Sequence, residues 1–106
     1  MENMVLSGES LQMAAALARG LADENRLRIL YCLSNGKKSV GSMVEELNLS
    51  QPLVSHHLRE LKRYLLVHVE RNGPFIYYEI ADPEILNIVQ MLGNVALELF
   101  VKRKTF

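Results

Sequence analysis

The chain is poor in residues that hold a fold together covalently. Its 106 residues contain one cysteine, Cys32, and no tryptophan. A single cysteine excludes a disulfide within the chain, and with it the small secreted folds that depend on such bonds. Apolar burial therefore has to stabilise the fold. A hydrophobic content of 49% is enough for one small domain over residues 1–106.

Targeting and membrane signals are also missing from the sequence. The first ten residues, MENMVLSGES, lack the charged start and the apolar run of a signal peptide. No apolar run in the sequence approaches the length that we expect for a bilayer span. We therefore expect a cytoplasmic protein without a membrane partner.

The chain has no net charge, because twelve Lys and Arg balance twelve Asp and Glu. The charges are nevertheless unevenly distributed. Eight basic and four acidic residues lie between Arg26 and Arg71, whereas the stretch from Glu79 to Glu98 holds four acids and no base. A basic middle beside an acidic flank favours a polyanionic partner, although an ordinary solvated surface can have the same composition.

Four helices are predicted in the first two thirds of the chain. Their approximate ranges are 8–20, 24–33, 40–47 and 51–65. Gly20 ends or bends the first helix, and Asp23 is the expected N-cap of the second. Ser50 is the expected N-cap of the fourth, with Pro52 in its first turn. The apolar stripe of the fourth helix consists of Val54, Leu58, Leu61 and Leu65.

The hydrophobic period then changes from that of a helix to that of a strand. Residues 67–71 and 75–80 alternate as strands around the turn Asn72-Gly73-Pro74, which predicts a β-hairpin over about 67–80. A last helix over about 83–101 has apolar residues on two sides. Such a helix has to bury one side on its own core and the other on a partner subunit.

A tight turn at Asn48-Leu49-Ser50 joins the third and fourth helices, and predicts a helix-turn-helix over about 40–65. The fourth helix is polar on the side opposite its apolar stripe. A recognition helix presents such a side to base edges in the major groove. The candidate DNA-contacting residues on this side are Ser50, Gln51, Pro52, Ser55, His56 and Arg59.

Further basic and polar residues are placed to contact the DNA backbone. Lys62 and Arg63 lie later in the fourth helix, where they suit phosphates and would position the protein without reading sequence. Arg71 and Asn72 lie at the tip of the predicted hairpin. A hairpin that directly follows a recognition helix is a wing, so these two residues suit a phosphate or the minor groove.

The segments LADENRLRIL, LSQPLVSHHLRELK and GPFIYYEI closely resemble the arsenic-repressor-like, or ArsR, family of winged-helix regulators. The resemblance covers about residues 17–100, and its sharpest signature is LSQPxVSHHLRxL. It implies a mostly α winged helix-turn-helix fold with five helices, a β-hairpin wing and dimerisation through the first and last helices. It also implies a homodimeric repressor that binds a dyad-symmetric operator in duplex DNA and is released by an effector.

The metal sites of that family are incomplete in this sequence. Ser39 and Gly41 occupy the positions of a Cys-x-Cys pair, so the thiolates that soft metals need are missing. A second site combines carboxylates with histidines, and zinc binding there relies on the histidine nitrogens. Its matching positions here are Asp82, Glu84, Val95 and Glu98. We therefore expect no metal site and no cofactor.

Two further positions depart from the family pattern. Members that sense sulfur or oxidants carry one cysteine on the second helix and one on the last. Here Tyr31 stands at the first position, Cys32 follows it, and the last helix has no cysteine. A two-thiol switch within one chain is excluded, which leaves Cys32 as a core residue or a reactive thiol. The segment Tyr64-Leu65-Leu66-Val67 lies where the family usually ends the recognition helix with glycine, and its lack of glycine predicts a different helix end and wing angle.

Two functions remain open at this point. The leading one is a sequence-specific DNA-binding transcriptional regulator, a repressor with an unidentified effector. The alternative is a winged-helix protein-interaction module that has lost DNA binding, against which the polar outer face of the fourth helix argues. An enzyme is not expected, because the sequence lacks a nucleophile–base pair, a Gly-rich phosphate loop and a complete metal set.

Overall fold

A computed structural model describes residues 6–102. Five α-helices and a two-stranded antiparallel sheet make up the fold, which confirms the expected fold class. In chain order the elements are α1 (Gly8–Leu21), α2 (Glu24–Cys32), a 3₁₀ turn (Leu33–Asn35), α3 (Val40–Leu47), α4 (Gln51–Arg63), β1 (Val67–Asn72), β2 (Phe75–Ile80) and α5 (Glu84–Lys102).

Each of the first four helices begins at a residue whose side chain accepts a backbone N–H from the first turn. These N-caps are Ser7, Asp23, Ser39 and Ser50. Asp23 accepts two such bonds, from the amides of Asn25 and Arg26 at 2.8 and 3.1 Å. Each cap stabilises its helix by about 0.5–2 kcal/mol. The caps predicted at Asp23 and Ser50 are confirmed.

The core lies between α2, α3, α4 and the base of the hairpin. One side of α4 is fully buried in it through Val54, Leu58 and Leu61. The facing residues are Ile29, Leu30, Leu33, Met43, Leu66 and Val67. Each fully buried aliphatic side chain contributes about 1.5–3 kcal/mol, so this packing sets the orientation of α4.

Two arginines of α2 donate hydrogen bonds to backbone carbonyls at the C-termini of α1 and α3. Arg26 donates from Nε and Nη2 to the carbonyl oxygens of Gly20 and Arg19, at 2.8 and 2.9 Å. Arg28 donates from Nη2 to the carbonyl oxygen of Leu47, the last residue of α3, at 2.9 Å. The carbonyls at a helix C-terminus have no partner within the helix, so these arginines satisfy acceptors that would otherwise be unpaired.

The end of α4 differs from the sequence-based expectation. Leu65 was expected to close the buried stripe, but α4 ends at Arg63 and Leu65 adopts a left-handed conformation, with φ 64°. The Leu66 amide donates to the Leu61 carbonyl oxygen at 2.9 Å, the bond that closes helices ending in glycine. Leu65 therefore ends α4 in the left-handed conformation that glycine adopts without a steric cost.

Helix α5 also differs from expectation. Its 19 residues are long and apolar enough to cross a bilayer by length and composition alone, contrary to the expectation that no stretch approaches this. The reason is that its charged residues, Glu84, Glu98 and Lys102, lie towards its ends and leave residues 85–97 uncharged. Ile85 is its one buried residue in the described chain. An exposed apolar helix of this kind also meets the requirement of a subunit interface.

His57 is the one buried polar side chain of the described residues, on the buried side of α4. Its Nδ1 has no hydrogen-bond partner in that part of the chain, and its Nε2 lies 3.7 Å from Oδ1 of Asp23. Burial lowers the pKa of His57, because the charged ring loses its hydration. The nearby carboxylate of Asp23 acts in the opposite direction without overcoming this effect.

We predict that Gly20→Ala destabilises the protein. A Cβ at this position would lie 2.6 Å from Cδ1 of Leu66 and 2.8 Å from Cβ of Tyr64, so α1 would have to move away from the end of α4. We expect the free energy of unfolding in urea, at fixed protein concentration, to fall by about 1–3 kcal/mol. The matched control is Gly41→Ala in α3, where the added carbon meets nothing within 4 Å. It should raise stability by about 0.5–1 kcal/mol. Equal effects of the two changes would contradict the close approach.

We also predict that His57 lowers stability at acidic pH. The pKa of His57 is lowered in the folded state. As pH falls through about 6.5, the ordinary pKa of histidine, the unfolded chain therefore binds a proton before the folded chain does, and the free energy of unfolding decreases. His57→Leu should therefore reduce the loss of unfolding free energy between neutral and mildly acidic pH. If His57→Leu loses as much free energy of unfolding at mildly acidic pH as the wild type does, groups other than His57 cause the pH dependence.

Candidate nucleic-acid interface

Helix α4 presents one side to the core and the opposite side to solvent. Because Val54, Leu58 and Leu61 are buried, residues at the complementary spacing point outward. The exposed candidates on and before α4 are Ser50, Gln51, Pro52, His56, Arg59, Lys62 and Arg63, and Ser55 is half-buried. The first two turns of this surface are polar and the last two are basic. This gradient is what a helix entering a groove from its N-terminus requires.

Ser50 has a structural role as well as an exposed position. Its Oγ accepts the Leu53 amide at 3.3 Å and caps α4. The hydroxyl hydrogen remains available to donate, as a serine hydroxyl can accept and donate together. Ser50 can therefore cap the helix and contact a phosphate oxygen in the same conformation.

Half of the basic residues in the middle of the chain are engaged in structural contacts. These are Arg26 and Arg28, which bond to backbone carbonyls, and Lys37 and Lys38, which pair with Glu70 and Glu46. The other four are Arg59, Lys62, Arg63 and Arg71, all exposed. Of these, only Arg63 lies within ion-pair distance of an acid in the described chain, 3.8 Å from Glu60. The basic surface is therefore narrower than the sequence indicated, and it follows α4 and the hairpin.

The hairpin is attached to the segment that precedes α3. The backbones of Lys38 and Tyr78 exchange two hydrogen bonds, at 2.8 and 3.0 Å. The side chain of Lys37 pairs with Glu70 on β1 and lies over the ring of Tyr77. These contacts fix the middle of the hairpin against the segment before α3, so that the position of its tip is set by the fold.

The tip of the hairpin is fully exposed. Arg71 and Asn72 end β1, and Gly73 supplies the left-handed residue of the turn, with φ 62°. On the outer face of the hairpin, Nε2 of His68 lies 2.7 Å from Oε1 of Glu79, directly opposite in the register. The sheet thus carries Arg71 at its end, while its acidic residues Glu70 and Glu79 contact Lys37 and His68.

Cys32 lies in the core with its Sγ 3.5 Å from Nζ of Lys38. Burial raises the pKa of the Cys32 thiol, although Lys38 acts in the opposite direction. A buried, protonated thiol is a poor nucleophile, since the thiolate is the reactive form. Of the two roles left open by the sequence, the geometry favours a core residue.

The residues at the family's second metal site have other partners here. Oδ1 of Asp82 accepts the Glu84 amide at 2.9 Å, and Oε1 of Glu84 accepts a hydrogen bond from Asn87 at 2.7 Å. Among residues 6–102, no group of three or more His, Cys, Asp or Glu side chains is arranged to hold a metal ion. Asp82 and Glu84 therefore act at the start of α5, where acidic side chains stabilise the first turn.

Comparisons with a family model and with known sequences agree on the family to which the chain is similar. The family model described as "Bacterial regulatory protein, arsR family" matches residues 23–69. An HTH-type transcriptional regulator of Methanocaldococcus jannaschii is 33% identical over 82% of this chain and 99% of its own length. The transcriptional repressor SdpR of Bacillus subtilis is 37% identical over 72% of this chain and 84% of its own length.

Solved structures give the same result for the fold. HlyU from Vibrio cholerae superposes with a TM-score of 0.75 at 29% identity, covering 84% of this chain and 97% of HlyU. The homodimeric winged helix-turn-helix DNA-binding domain Mb0332 from Mycobacterium bovis gives 0.76 at 27% identity, covering 92% of each chain. From the winged fold, the outward basic helix and these relatives, the chain belongs to the ArsR family of DNA-binding transcriptional regulators, and it is not an enzyme.

Proposed function

We propose that this protein is a homodimeric repressor that places α4 in the major groove of a two-fold symmetric operator. The observation that supports this most directly is the position of the four exposed cations within residues 26–71 that bond neither to other helices nor to the hairpin. Arg59, Lys62 and Arg63 lie along the exposed side of α4, and Arg71 lies at the hairpin tip. This distribution fits a rod-shaped polyanion that contacts both elements.

Base reading belongs to the segment from Gln51 to Arg59, the first three turns of α4, in this proposal. Gln51 can form two hydrogen bonds with adenine, and Arg59 can do the same with guanine. Ser55 and His56 lie between them on the same side of the helix. Ser50, Pro52, Lys62 and Arg63 flank this set and would contact the backbone. Arg71 and Asn72 would reach the adjoining phosphate or minor groove.

The second subunit would bind through α1 and α5. These helices carry most of the exposed large apolar residues of the described chain. Those on α1 and α5 are Leu11, Met13, Ile88, Met91, Leu92, Val95, Leu97, Leu99, Phe100 and Val101. A two-fold axis through this surface would present two copies of α4, and their spacing sets the separation of the operator half-sites. The Mycobacterium bovis relative is a homodimer, which supports this arrangement.

Repression, effector release and cytoplasmic location complete the proposal. The relatives differ in the direction of control, because SdpR is a transcriptional repressor and HlyU a transcriptional activator. We favour repression, with release by an effector. A reporter fused to the region upstream of the protein's own gene tests the direction. We expect higher reporter output when the protein is deleted, and lower output would indicate an activator.

The direct test of function is a titration of labelled duplex DNA from that upstream region, followed by fluorescence anisotropy at low and at physiological salt. We expect one segment to bind with much higher affinity than unrelated duplex at the same salt, with two subunits per site. Binding to no duplex at low salt would favour the protein-interaction alternative. No observation on the described residues favours that alternative at present.

Arg59→Ala should weaken operator binding by about 1–3 kcal/mol if Arg59 reads a base. The loss should disappear on an operator altered at the contacted base pair, because the wild-type protein then loses the same interaction. The matched control is Lys102→Ala, which removes an exposed cation at the end of α5 and should leave affinity unchanged. Equal loss on every duplex would assign Arg59 to phosphates.

Arg71→Ala should reduce the salt dependence of binding. Each phosphate contact contributes about −0.9 to the slope of log K against log salt, so loss of one contact in each of two subunits should change the slope by about 2. The measurement is anisotropy at four or more salt concentrations. The ratio of operator to non-operator affinity should stay the same. An unchanged slope would place the hairpin tip away from the DNA.

A further inference from the structure

A groove of about 620 Å³ lies between the end of α4 and β1. The helix end and the strand together contribute its lining residues, which are Lys62, Leu65, Val67, His68, Val69 and Arg71. Three of these side chains are basic and none is acidic. Lys62 and Arg71 are exposed, and neither lies within ion-pair distance of an acid among residues 6–102. The groove therefore favours an anion.

His68 is the third basic side chain of the groove, and it is 54% exposed. Its Nε2 lies 2.7 Å from Oε1 of Glu79, and its Nδ1 has no hydrogen-bond partner in the described chain. Glu79 does not line the groove, and Glu70, on the same face of β1 as His68, pairs with Lys37. When the ring is protonated, His68 can therefore donate from Nδ1 while Glu79 holds its other nitrogen.

The open edge of β1 adds backbone donors to the groove. Both backbone groups of Tyr78 bond to Lys38, so they point away from β1. Val69 is the partner of Tyr78 in the register. In an antiparallel pair, successive residues alternate between bonding to the partner strand and pointing outward. The backbone groups of Val67, Val69 and Arg71 therefore point to the edge that β2 leaves open.

The N–H groups of Val69 and Arg71 have no acceptor in the part of the chain that the structure describes. Backbone donors on an open strand edge can bond to water, to an anion or to another strand. The carbonyl groups of the same residues face this edge too, so an extended peptide is the competing occupant. Three basic side chains and no acid along the groove favour the anion.

We propose that this groove binds one phosphate group of the operator backbone, and that His68 is a phosphate ligand together with Lys62, Arg71 and the N–H groups at the edge of β1. The inference rests on the proposed function, and it adds His68 and the strand edge to the DNA-binding surface. Leu65, whose side chain is 79% exposed, lies in the same groove and suits the adjoining deoxyribose. Phosphate and sugar are the groups that DNA-binding proteins contact to fix their register.

A functional consequence follows from the position of the groove. Because it is bounded by both α4 and β1, one phosphate would contact the recognition helix and the hairpin at the same time. This contact would set how α4 enters the major groove, and so where Gln51 and Arg59 meet the bases. His68 would then raise affinity for the operator without reading its sequence.

The test replaces single phosphates by uncharged methylphosphonates, one position at a time, in the upstream duplex that binds the wild-type protein. Binding is measured by anisotropy at mildly acidic pH, where histidine carries its proton. We expect one position in each half-site at which the replacement weakens binding by at least about tenfold. His68→Gln should weaken binding to the unmodified duplex, and should cause no further loss on the duplex modified at that position.

The matched control is Arg63→Gln, which removes an exposed cation of α4 outside the groove. Its loss should add to that of the modified duplex, because it concerns a different phosphate. A second comparison addresses Glu79, whose charge is left unpaired when His68 is removed. The loss caused by His68→Gln should be equally large in a Glu79→Gln background. Circular dichroism at the same pH checks that each variant is folded.

An NMR titration locates the phosphate on the protein. The amide signals of Val69 and Arg71 should shift with the operator, and should shift less with the duplex modified at the interfering position. Interference at no position, interference that is additive with His68→Gln, or a His68→Gln loss that disappears in the Glu79→Gln background would overturn the proposal.

Two other occupants of the groove have distinct signatures. Slow hydrogen exchange of the Val69 amide in the DNA-free protein would show that another strand pairs with the edge, and would overturn the proposal. Shifts of the same amides with inorganic phosphate, at concentrations that leave operator affinity unchanged, would also overturn it and identify a small-anion site. A protein that binds no duplex at low salt contradicts both proposals, whereas operator binding without coupling of a phosphate to His68 contradicts only this one.

Discussion

The burial of one side of α4 is the constraint on which the rest of the structure depends. Val54, Leu58 and Leu61 are completely inaccessible to solvent. Their burial fixes the rotation of α4 about its own axis. Rotation of α4 by one residue, about 100°, would bring polar residues into the core and carry apolar ones to the surface. The outward direction of Gln51 and Arg59 is therefore a consequence of core packing.

The same packing determines where the positive charge is available. Arg26 and Arg28 are used inside the fold because the C-termini of α1 and α3 need hydrogen-bond donors. Lys37 and Lys38 are used where the hairpin meets the segment before α3. Within residues 26–71, the cations that remain lie on α4 and at the hairpin tip. A protein of zero net charge can thus present a basic surface of limited extent.

Sequence patterns predicted the elements and the outward residues of α4 well, because both follow from local periodicity and capping. The apolar stripe of α4 and the Asp23 and Ser50 caps needed no tertiary information. The contacts of Arg26 and Arg28 could not be predicted in this way. Their acceptors are carbonyls on other helices, and only the three-dimensional arrangement brings them within reach.

Two errors of the sequence reading have the same physical origin. Leu65 fits the helical spacing of the buried stripe, and its left-handed conformation depends on the turn into β1, which periodicity does not report. Helix α5 was not recognised as long and apolar enough to span a membrane, because polar uncharged residues such as Asn87 and Gln90 interrupt its apolar runs.

The central claim is that the solvent-facing side of α4 and the hairpin tip form one DNA-binding surface. An NMR titration of isotope-labelled protein with its operator duplex tests it most directly. The account predicts that the largest amide shifts fall in residues 50–63 and 70–74, with little change on the exposed side of α3. Shifts confined to α3 or to the outer face of the hairpin, or no shifts with any duplex at low salt, would contradict it.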